Sequence, residues 1–504
     1  MFKKSLPIAL SALMVAAAVS GCGSPKGKNA SPSTGQKEAV TLTYLTSVNV
    51  STEGQSVSDN DYLKYIEEKN NVKINIISEA TNYSQKMYTV MASGDLPDYL
   101  MVSSTNSRND LAQFANEGLL LPLDSYVSKS ANLKGDISTD AWDMSKVNGK
   151  IYAVPMERYD RTPLLTFVRK DWLQNLNIDT GKLKTIDDYY NMFKAFTYND
   201  PDKDGKNDTV GIAATNAVTT TLQTFMDSFN ADKYQVVNGQ MIPYYLTSGY
   251  ENWLKFMNKL YSEKILDNEY LTNTKQQMLQ KFDTGKYGGI ETFWSLQDGT
   301  LLKQAGNLVA LTPPAKADGS EGKYFYQSGP VRHYIAVTKS CKHPDRVVSM
   351  MNWACSEEGA VFINLGLEGK DYNMVNSKPV VKADRAGTNW AWRFITLGIQ
   401  MPKIDDQMKD LLTQAWGKDG YSRLELSNKY GTTDDFANQV PYYSELGDYD
   451  LNSKVQEYTN QAIIGKVNID TTWDGYVANI KKAGGDQMIK LYTEWYNKSY
   501  KKQK

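Results

Sequence analysis

The chain has 504 residues, with 56 lysines and arginines against 57 aspartates and glutamates, for a formal net charge of −1. This balance leaves no basic face of the kind that nucleic-acid binding needs, so we expect no nucleic-acid partner. The length is too great for one hydrophobic core and predicts two or more domains. Only three cysteines are present, and the helix predicted between Cys341 and Cys355 would hold those two thiols apart and free.

The first 22 residues have the pattern of an export signal. Two lysines precede the apolar run Leu6–Ala18, which is shorter than the roughly 20 residues that span a membrane. The run ends in Val19–Cys22, which resembles the bacterial lipobox and implies acylation of Cys22. The alternative is an ordinary signal peptide with a chance cysteine. Residues 23–39 are polar and rich in Gly, Ser and Pro, which predicts a disordered tether before a globular part that begins near Val40.

Strand and helix patterns alternate after the tether. Val40–Thr46, Val72–Ile77 and Leu100–Val102 are apolar or β-branched and predict strands. Asp61–Lys69 and Tyr83–Ser93 carry apolar residues at helical spacing. The alternation predicts an α/β fold with a largely parallel sheet. Because ligands of such sheets bind at the carboxyl ends of strands, we expect the loops after these three strands to line a site.

Several short segments resemble one known family. Ala92–Asp98 reads ASGDLPD and is similar to a segment of the extracellular solute-binding proteins of ABC importers, the family 1 that includes maltose-binding relatives. The resemblance extends from about Val40 to Tyr496. Further segments that fit the family are Gly149–Pro155, Val168–Leu173, Lys342–Asp345, Met351–Trp353, Leu367–Tyr372, Ile464–Lys466, Tyr476 and Gly485–Tyr492.

The resemblance implies a two-lobed α/β fold of the type II periplasmic-binding-protein kind, with a ligand cleft between lobes that crossing segments join. The first lobe would comprise residues 40–156 and 334–385, and the second residues 157–333 and 386–504. The crossing segments would fall near Glu157–Thr166, Gln327–Tyr334 and Ala386–Trp392.

The resemblance also implies a function. A monomer anchored by its lipid to the outer face of the cell membrane would capture an oligosaccharide and deliver it to an ABC transporter permease by hinge closure. Two alternatives stay open, a secreted glycoside hydrolase and a sugar-sensing accessory protein. The chain has only two histidines and no zinc-ligand spacing, nucleophile elbow or phosphate-binding loop at a strand–helix junction, so we predict that it is not an enzyme.

The segment Asp200–Asp208, DPDKDGKND, has the ligand spacing of an EF-hand calcium loop. Its carboxylates repel one another unless a cation neutralises them, so we predict a structural calcium ion; the alternative is a solvated acidic turn. Position 12 departs from the pattern because it is Gly211, and Thr209 stands where members of the resembled family often carry an acid. The predicted ligands are Asp200, Asp202, Asp204, the carbonyl of Lys206, and Asp208.

Aromatic and charged residues near the predicted crossings are the candidates for sugar contact. A rigid ring covers the apolar face of a pyranose at low entropic cost, and Arg and Glu hydrogen-bond its hydroxyls. Phe282–Trp294 resembles the family's F-x-x-G-K strand and turn, which enters the cleft. The alternative for each aromatic residue is a place in the core. The predicted ligand-binding residues are Glu157, Arg158, Tyr159, Trp294, Tyr326, Arg332, Trp390 and Trp392.

Overall fold

The computed structural model describes residues 39–47, 56–79, 81–103, 107–158, 160–215, 225–296, 300–325, 329, 331–382, 384–385, 406–441, 443–446 and 449–502. The predicted export signal, Cys22 and the tether up to residue 38 lie outside the described residues, as does the third predicted crossing, Ala386–Trp392. No helix within the described ranges is both long enough and apolar enough to cross a membrane.

The strands are short and fall into two main sheets, several hairpins and a parallel pair of β13 with β17. They are β1 (Val40–Thr46), β2 (Val72–Ser78), β3 (Tyr99–Val102), β4 (Lys146–Val147), β5 (Lys150–Ile151), β6 (Ala153–Glu157), β7 (Leu164–Arg169), β8 (Val210–Ala213), β9 (Gln235–Val237), β10 (Gln240–Ile242), β11 (Tyr287–Phe293), β12 (Leu308–Ala310), β13 (Tyr324–Phe325), β14 (Val331–Val337), β15 (Tyr372–Val375), β16 (Lys378–Val381) and β17 (Gly431–Thr432).

Helices cover the sheets and form most of the C-terminal part. They are α1 (Asp61–Asn70), α2 (Tyr83–Ser93), α3 (Ser107–Asn116), α4 (Asp124–Val127), α5 (Ala131–Asp136), α6 (Thr139–Met144), α7 (Lys170–Asn175), α8 (Ile186–Tyr198), α9 (Ser248–Ser262), α10 (Lys275–Asp283), α11 (Pro344–Ala354), α12 (Glu357–Leu365), α13 (Asp406–Trp416), α14 (Gly420–Tyr430), α15 (Asp435–Gln439), α16 (Leu451–Ile463), α17 (Ile469–Ile480) and α18 (Asp486–Lys498).

The predicted strands and helices between Val40 and Val102 are confirmed to within one residue at each end. Local side-chain chemistry explains their limits. The Asn60 carboxamide accepts a hydrogen bond of 2.8 Å from the Leu63 N–H and caps the start of α1. Gly94 follows α2 with φ +79°, a left-handed conformation that favours glycine and ends the helix.

The first sheet has the strand order β2-β1-β3-β14-β6. β1 is parallel to β2 and β3, whereas β14 is antiparallel to both of its neighbours, β3 and β6. Because β6 runs in the same direction as β3, four of the five strands share one direction, and the prediction of a largely parallel sheet is confirmed except for β14. β14 belongs to a distant segment that returns between β3 and β6 in the opposite direction, with Tyr334 opposite Val102 and Pro155.

The second sheet has the order β12-β7-β11-β8 and is also mixed, because β11 is parallel to β8 but antiparallel to β7. The chain passes from the first sheet to the second between β6 and β7. Each sheet has its own hydrophobic core. The first includes the stacked rings of Tyr44 and Tyr99, whose centroids are 4.3 Å apart. The second contains the buried Trp172 and Trp253 and is completed by the C-terminal helices α16 and α17.

The two described cysteines, Cys341 and Cys355, are buried and free, as predicted. Burial raises the pKa of both thiols above the ordinary value. Both therefore stay protonated in the neutral range and behave as core residues rather than as reactive groups.

Two carboxyl groups are buried side by side in the segment between β8 and β9. Asp227 is 0% exposed and Asp232 is 3% exposed. Asp227 Oδ1 lies 2.9 Å from Lys316 Nζ and its Oδ2 accepts a hydrogen bond from the Lys323 N–H, whereas the Lys233 ammonium is 3.8 Å from Asp232 Oδ2. Burial is the main cause, and the negative charge of Asp227 the next, of a rise in the pKa of Asp232 to about 7.

We expect Asp232→Asn to raise the melting temperature at pH 8 and to leave it nearly unchanged at pH 4.5. The folded chain holds the Asp232 proton up to about pH 7, whereas the unfolded chain releases it near pH 4, so this group stabilises at low pH and loses that contribution as the pH rises between those values. Thermal melts from pH 4.5 to 8 measure the effect. Asp143→Asn, at an exposed ion pair, is the control, and the same change for D232N at every pH would contradict the prediction.

Candidate functional site

A polar pocket lies at the carboxyl ends of the first three strands, as the sequence predicts. Ser47 directly follows β1, Ser103 directly follows β3, and α2 begins a few residues after β2. The cavity has a volume of about 460 Å³. Its hydroxyl and carboxamide groups are suited to an uncharged polar solute. The lining residues are Ser47, Thr81, Asn82, Tyr83, Ser84, Gln85 and Ser103.

The position of this pocket is fixed by Tyr83, the first residue of α2. Its hydroxyl donates to the carbonyl oxygen of Leu45, at 3.2 Å, and contacts that of Met101. Burial raises the pKa of Tyr83 well above its ordinary value, so the hydroxyl stays protonated and remains a donor. The start of α2 is thereby held against β1 and β3.

A second pocket of about 680 Å³ lies along α14. The ammonium groups of Lys323 and Lys429 lie 5.4 Å and 4.8 Å from the centroid of the Tyr430 ring. Aromatic rings beside hydroxyl, carboxamide and charged groups are a composition suited to sugars. The lining residues are Thr312, Tyr421, Ser422, Leu424, Glu425, Leu426, Asn428, Lys429 and Tyr430.

This second pocket adjoins the segment between β6 and β7. Asn428, which lines the pocket, accepts a hydrogen bond of 3.0 Å at Oδ1 from the backbone N–H of Arg161. One residue earlier on α14, the buried Ser427 hydroxyl donates to the carbonyl oxygen of Thr162 at 2.6 Å. A movement of the crossing segment would therefore displace the pocket wall directly.

Asp160, in the same crossing segment, pairs with a buried arginine and a buried tryptophan. Its Oδ1 accepts from Arg158 Nε at 2.9 Å and lies 2.7 Å from Arg158 Nη2, and its Oδ2 accepts from the Trp294 indole N–H at 2.8 Å. The side chains of Arg158 and Asp160 are only 5% and 7% exposed. Buried charges are tolerated only when they are paired and hydrogen-bonded, as they are here.

A second buried arginine links α14 to this network. The Arg423 guanidinium donates to the carbonyl oxygens of Trp294 and Trp416, both at 2.6 Å. Trp416 is the last residue of α13, so Arg423 satisfies a carbonyl at a helix C-terminus. Burial lowers the pKa of Arg423 to about 10, which leaves the side chain charged in the neutral range.

Three of the predicted ligand-binding residues, Glu157, Arg158 and Arg332, lie where the end of β6 meets the start of β14. Glu157 ends β6 opposite Val331, next to Arg332, and its Oε2 accepts from the Ser138 N–H at 2.8 Å. Arg158 is paired with Asp160, as described above. Burial, Arg332 and Arg158 together lower the pKa of His333 to about 3, so this histidine is neutral.

Trp294 is 1% exposed and meets the Trp416 ring edge-on at a centroid distance of 5.8 Å. No face of its ring is open in this conformation, so its stacking on a sugar stays a prediction. Tyr159, Tyr326, Trp390 and Trp392 lie outside the described residues. The sequence reading missed Asp160, although it stands three residues beyond Glu157, and it missed the pocket along α14, which carries no motif.

The acidic loop forms the predicted turn. Oxygens of Asp200, Asp202 and Asp204 lie within 4.8 Å of one another. The Asp200 carboxylate accepts from the N–H groups of Asp204 and Gly205, both at 3.1 Å, and Gly205 has φ +77°. The segment thus has the folded turn and the clustered oxygens that a cation requires.

The fit to calcium is incomplete. Gly211, at loop position 12, lies in β8, where an added Cβ would come within 2.7 Å of the Phe193 carbonyl oxygen. No side chain can therefore supply the bidentate ligand from that position. Asp202 Oδ1 and Thr209 Oγ1 are buried without a hydrogen-bond partner, and an unpaired buried carboxylate oxygen such as Asp202 Oδ1 favours a metal ligand. The other Asp202 oxygen is bound by the Lys286 ammonium at 2.8 Å.

Two α/β lobes with crossing segments between them, and with pockets at the strand ends and beside a crossing, define a solute-binding protein. The sequence model of the family described as "bacterial extracellular solute-binding protein" matches residues 53–361. The chain belongs to this family. It is 24% identical to lipoprotein LipO of Bacillus subtilis (strain 168) over 518 residues, covering 99% of each chain.

Two further similarities concern proteins named for sugars. The chain is 23% identical to the polygalacturonan/rhamnogalacturonan-binding protein YtcQ of Bacillus subtilis (strain 168), covering 87% of this chain and 88% of that protein. A solved structure of an EF-hand mutant of FusA, an ABC-transporter substrate-binding protein of S. pneumoniae, in complex with fructo-nystose has a TM-score of 0.71 and 20% identity, covering 92% of this chain and 100% of that one. At this identity the structural similarity establishes the two-lobed fold.

Proposed function

We propose that the protein captures an oligosaccharide and delivers it to the permease of an ABC transporter. The observation that carries this proposal is the pocket along α14, which combines two tyrosine rings with polar groups and adjoins a crossing segment. The sugar-binding names of YtcQ and FusA support the same ligand class. The lobe boundaries near residues 156, 334 and 386 remain part of the proposal.

In the proposed mechanism, the sugar binds the closed conformation more tightly than the open one and so shifts the population toward closure. Tyr421 and Tyr430 would cover a sugar face, and Asn428 would couple the pocket to the crossing segment. The residues predicted from the sequence stay in the proposed ligand set, namely Glu157, Arg158, Tyr159, Trp294, Tyr326, Arg332, Trp390 and Trp392.

The proposed location is the outer face of the cell membrane. Acylation of Cys22 would anchor the chain as a monomer, and residues 23–39 would let it reach the permease. Calcium remains the cation that the spacing of the acidic loop predicts, and we assign that loop a structural role only. A secreted glycoside hydrolase and a sugar-sensing accessory protein are the competing functions, and the family and the named relatives favour binding without cleavage.

A thermal-shift screen against neutral and acidic oligosaccharides tests the proposal. A ligand at 100 times its dissociation constant adds about 2.7 kcal/mol to the free energy of unfolding, so one sugar class is expected to raise the melting temperature by several degrees. Chromatography of the same samples checks that the sugar stays intact, because cleavage would indicate a hydrolase. The absence of any shift across the panel would refute the sugar assignment.

A variant localises the binding site. Tyr430→Ala is expected to weaken the affinity for the sugar found in the screen by about 2- to 12-fold, since one aromatic contact contributes about 0.5–1.5 kcal/mol. Tyr198→Ala, at an exposed tyrosine that lines neither pocket, is the matched control and is expected to bind normally. Titration calorimetry gives both affinities. Equal affinities would remove the α14 pocket from the site.

A further inference from the structure

We propose that the resident cation of the acidic loop is the ammonium group of Lys286, and that calcium binds this loop only by displacing that side chain. Lys286 Nζ donates to Asp202 Oδ2 at 2.8 Å, to Asp204 Oδ2 at 2.7 Å and to Asp208 Oδ1 at 2.9 Å. These are three of the four carboxylates that the sequence assigns to a metal. The proposal concerns the loop alone and does not rest on sugar binding.

The sheet brings Lys286 to the loop. Val210, the first residue of β8, pairs with Tyr287, the first residue of β11, and the Val210 N–H donates to the Lys286 carbonyl at 2.9 Å. This register sets the residue before β11 beside the residue before β8, which is Thr209 at the end of the loop. Lys286 is thus held at the loop by backbone pairing and is not a chance surface contact.

The ammonium and a calcium ion cannot occupy the loop together. Calcium binds oxygen at about 2.3–2.6 Å, and it would need the oxygens of Asp202, Asp204 and Asp208 that lie 2.7–2.9 Å from Lys286 Nζ. Two cations that share these three oxygens would be separated by a few ångströms at most and would repel each other strongly. Metal binding therefore requires the lysine side chain to leave.

The ligand set also favours the lysine. Thr209 and Gly211 replace acidic residues at two loop positions, so calcium would lose charge and coordination there. An ammonium group needs only about three acceptors, and it has them. The orphan Asp202 Oδ1 is then the part of the metal geometry that the lysine does not use.

Tethering gives Lys286 a further advantage. Its binding to the loop is intramolecular and does not depend on the concentration of any solute, whereas extracellular calcium modules are weak, with dissociation constants of about 0.1–1 mM, and release their ion when calcium is scarce. Removal of the lysine should therefore expose a calcium site that the wild-type chain masks.

Calcium titration of the chelator-treated protein by calorimetry tests this inference. Lys286→Met is expected to bind one calcium ion at least tenfold more tightly than the wild type. Its melting temperature should fall by several degrees in EDTA and recover in 5 mM calcium chloride, while that of the wild type stays unchanged by calcium. Lys286→Arg keeps the positive charge and is expected to remain insensitive to calcium.

Lys255→Met is the matched control, because the Lys255 ammonium also bridges two carboxylates, Glu251 at 2.9 Å and Asp470 at 2.6 Å, away from the loop. It should gain no calcium response. Wild-type binding as tight as that of K286M would overturn the proposal, and so would a folded K286M that binds no calcium. If K286M does not fold, the wild type decides. Calcium binding by the wild type with a dissociation constant below 0.1 mM would overturn the proposal. A wild type that binds no calcium, together with a K286R variant whose melting temperature calcium does not change, would support it.

Discussion

Asp160→Asn is expected to lower the free energy of unfolding by about 3–5 kcal/mol, the cost of breaking a buried ion pair by changing one partner. Both carboxylate oxygens of Asp160 accept hydrogen bonds, one from Arg158 and the other from the Trp294 indole. An asparagine has only one acceptor oxygen. Whichever way its carboxamide is turned, the NH₂ group faces one of these two donors.

Chemical denaturation of both proteins measures the effect, and a double-mutant cycle assigns it. Trp294→Phe removes the indole donor, so its combination with D160N should cost less than the two single changes added together, by about 0.5–3 kcal/mol. Asp143→Asn is the control, because the pair of Asp143 with Lys146 is exposed and should change stability by no more than about 0.5 kcal/mol. Equal losses for D160N and D143N would contradict the buried pairing of Asp160 with Arg158 and Trp294.

Arg423→Met is expected to destabilise the protein by about 2–5 kcal/mol, since it leaves two buried carbonyl oxygens without their donor. The relief of a buried positive charge, visible in the lowered pKa of Arg423, offsets part of this cost. Arg423→Lys should fall between the wild type and R423M, because a single ammonium does not reproduce the planar fork that contacts Trp294 and Trp416.

Arg346→Met provides a matched comparison. Arg346 also donates to two carbonyl oxygens at a helix end, those of Asn70 and Asn71, but its side chain is only partly buried. Water can replace the lost donor there, so we expect a loss of about 1 kcal/mol or less. Thermal or denaturant unfolding of the three variants decides the order. A loss for R346M as large as that for R423M would show that burial does not set the cost.

Local patterns in the sequence were sufficient for the start of the fold. The alternation in Val40–Thr46 and the helical spacing after Asn60 are decided by neighbouring residues, and both predictions are confirmed. The reversed direction of β14 was not accessible in this way, because β14 pairs with β3 and β6 across a long stretch of chain. The single reversed strand among the described strands of the first sheet therefore had to come from the structure.

The same difference between neighbouring and distant residues decides which parts of the site could be predicted. The loops after β1 and β3 were predicted from the general behaviour of strand ends, and a pocket lies there. Trp294 was predicted from the resemblance of Phe282–Trp294 to a family segment that enters the cleft, but its burial depends on Trp416 and Asp160, which no spacing rule connects. Lys286 was equally inaccessible, because only the register of β8 with β11 brings it to the acidic loop.

The position of β14 in the first sheet has a consequence for folding kinetics. Until Val331–Val337 has been synthesised, β3 and β6 have no partner between them, and the edges that they present can pair with other chains. The contacts that complete this sheet also join residues far apart in sequence, which raises the contact order and slows folding. A fragment that ends before β14 is therefore expected to aggregate rather than to form a stable first lobe.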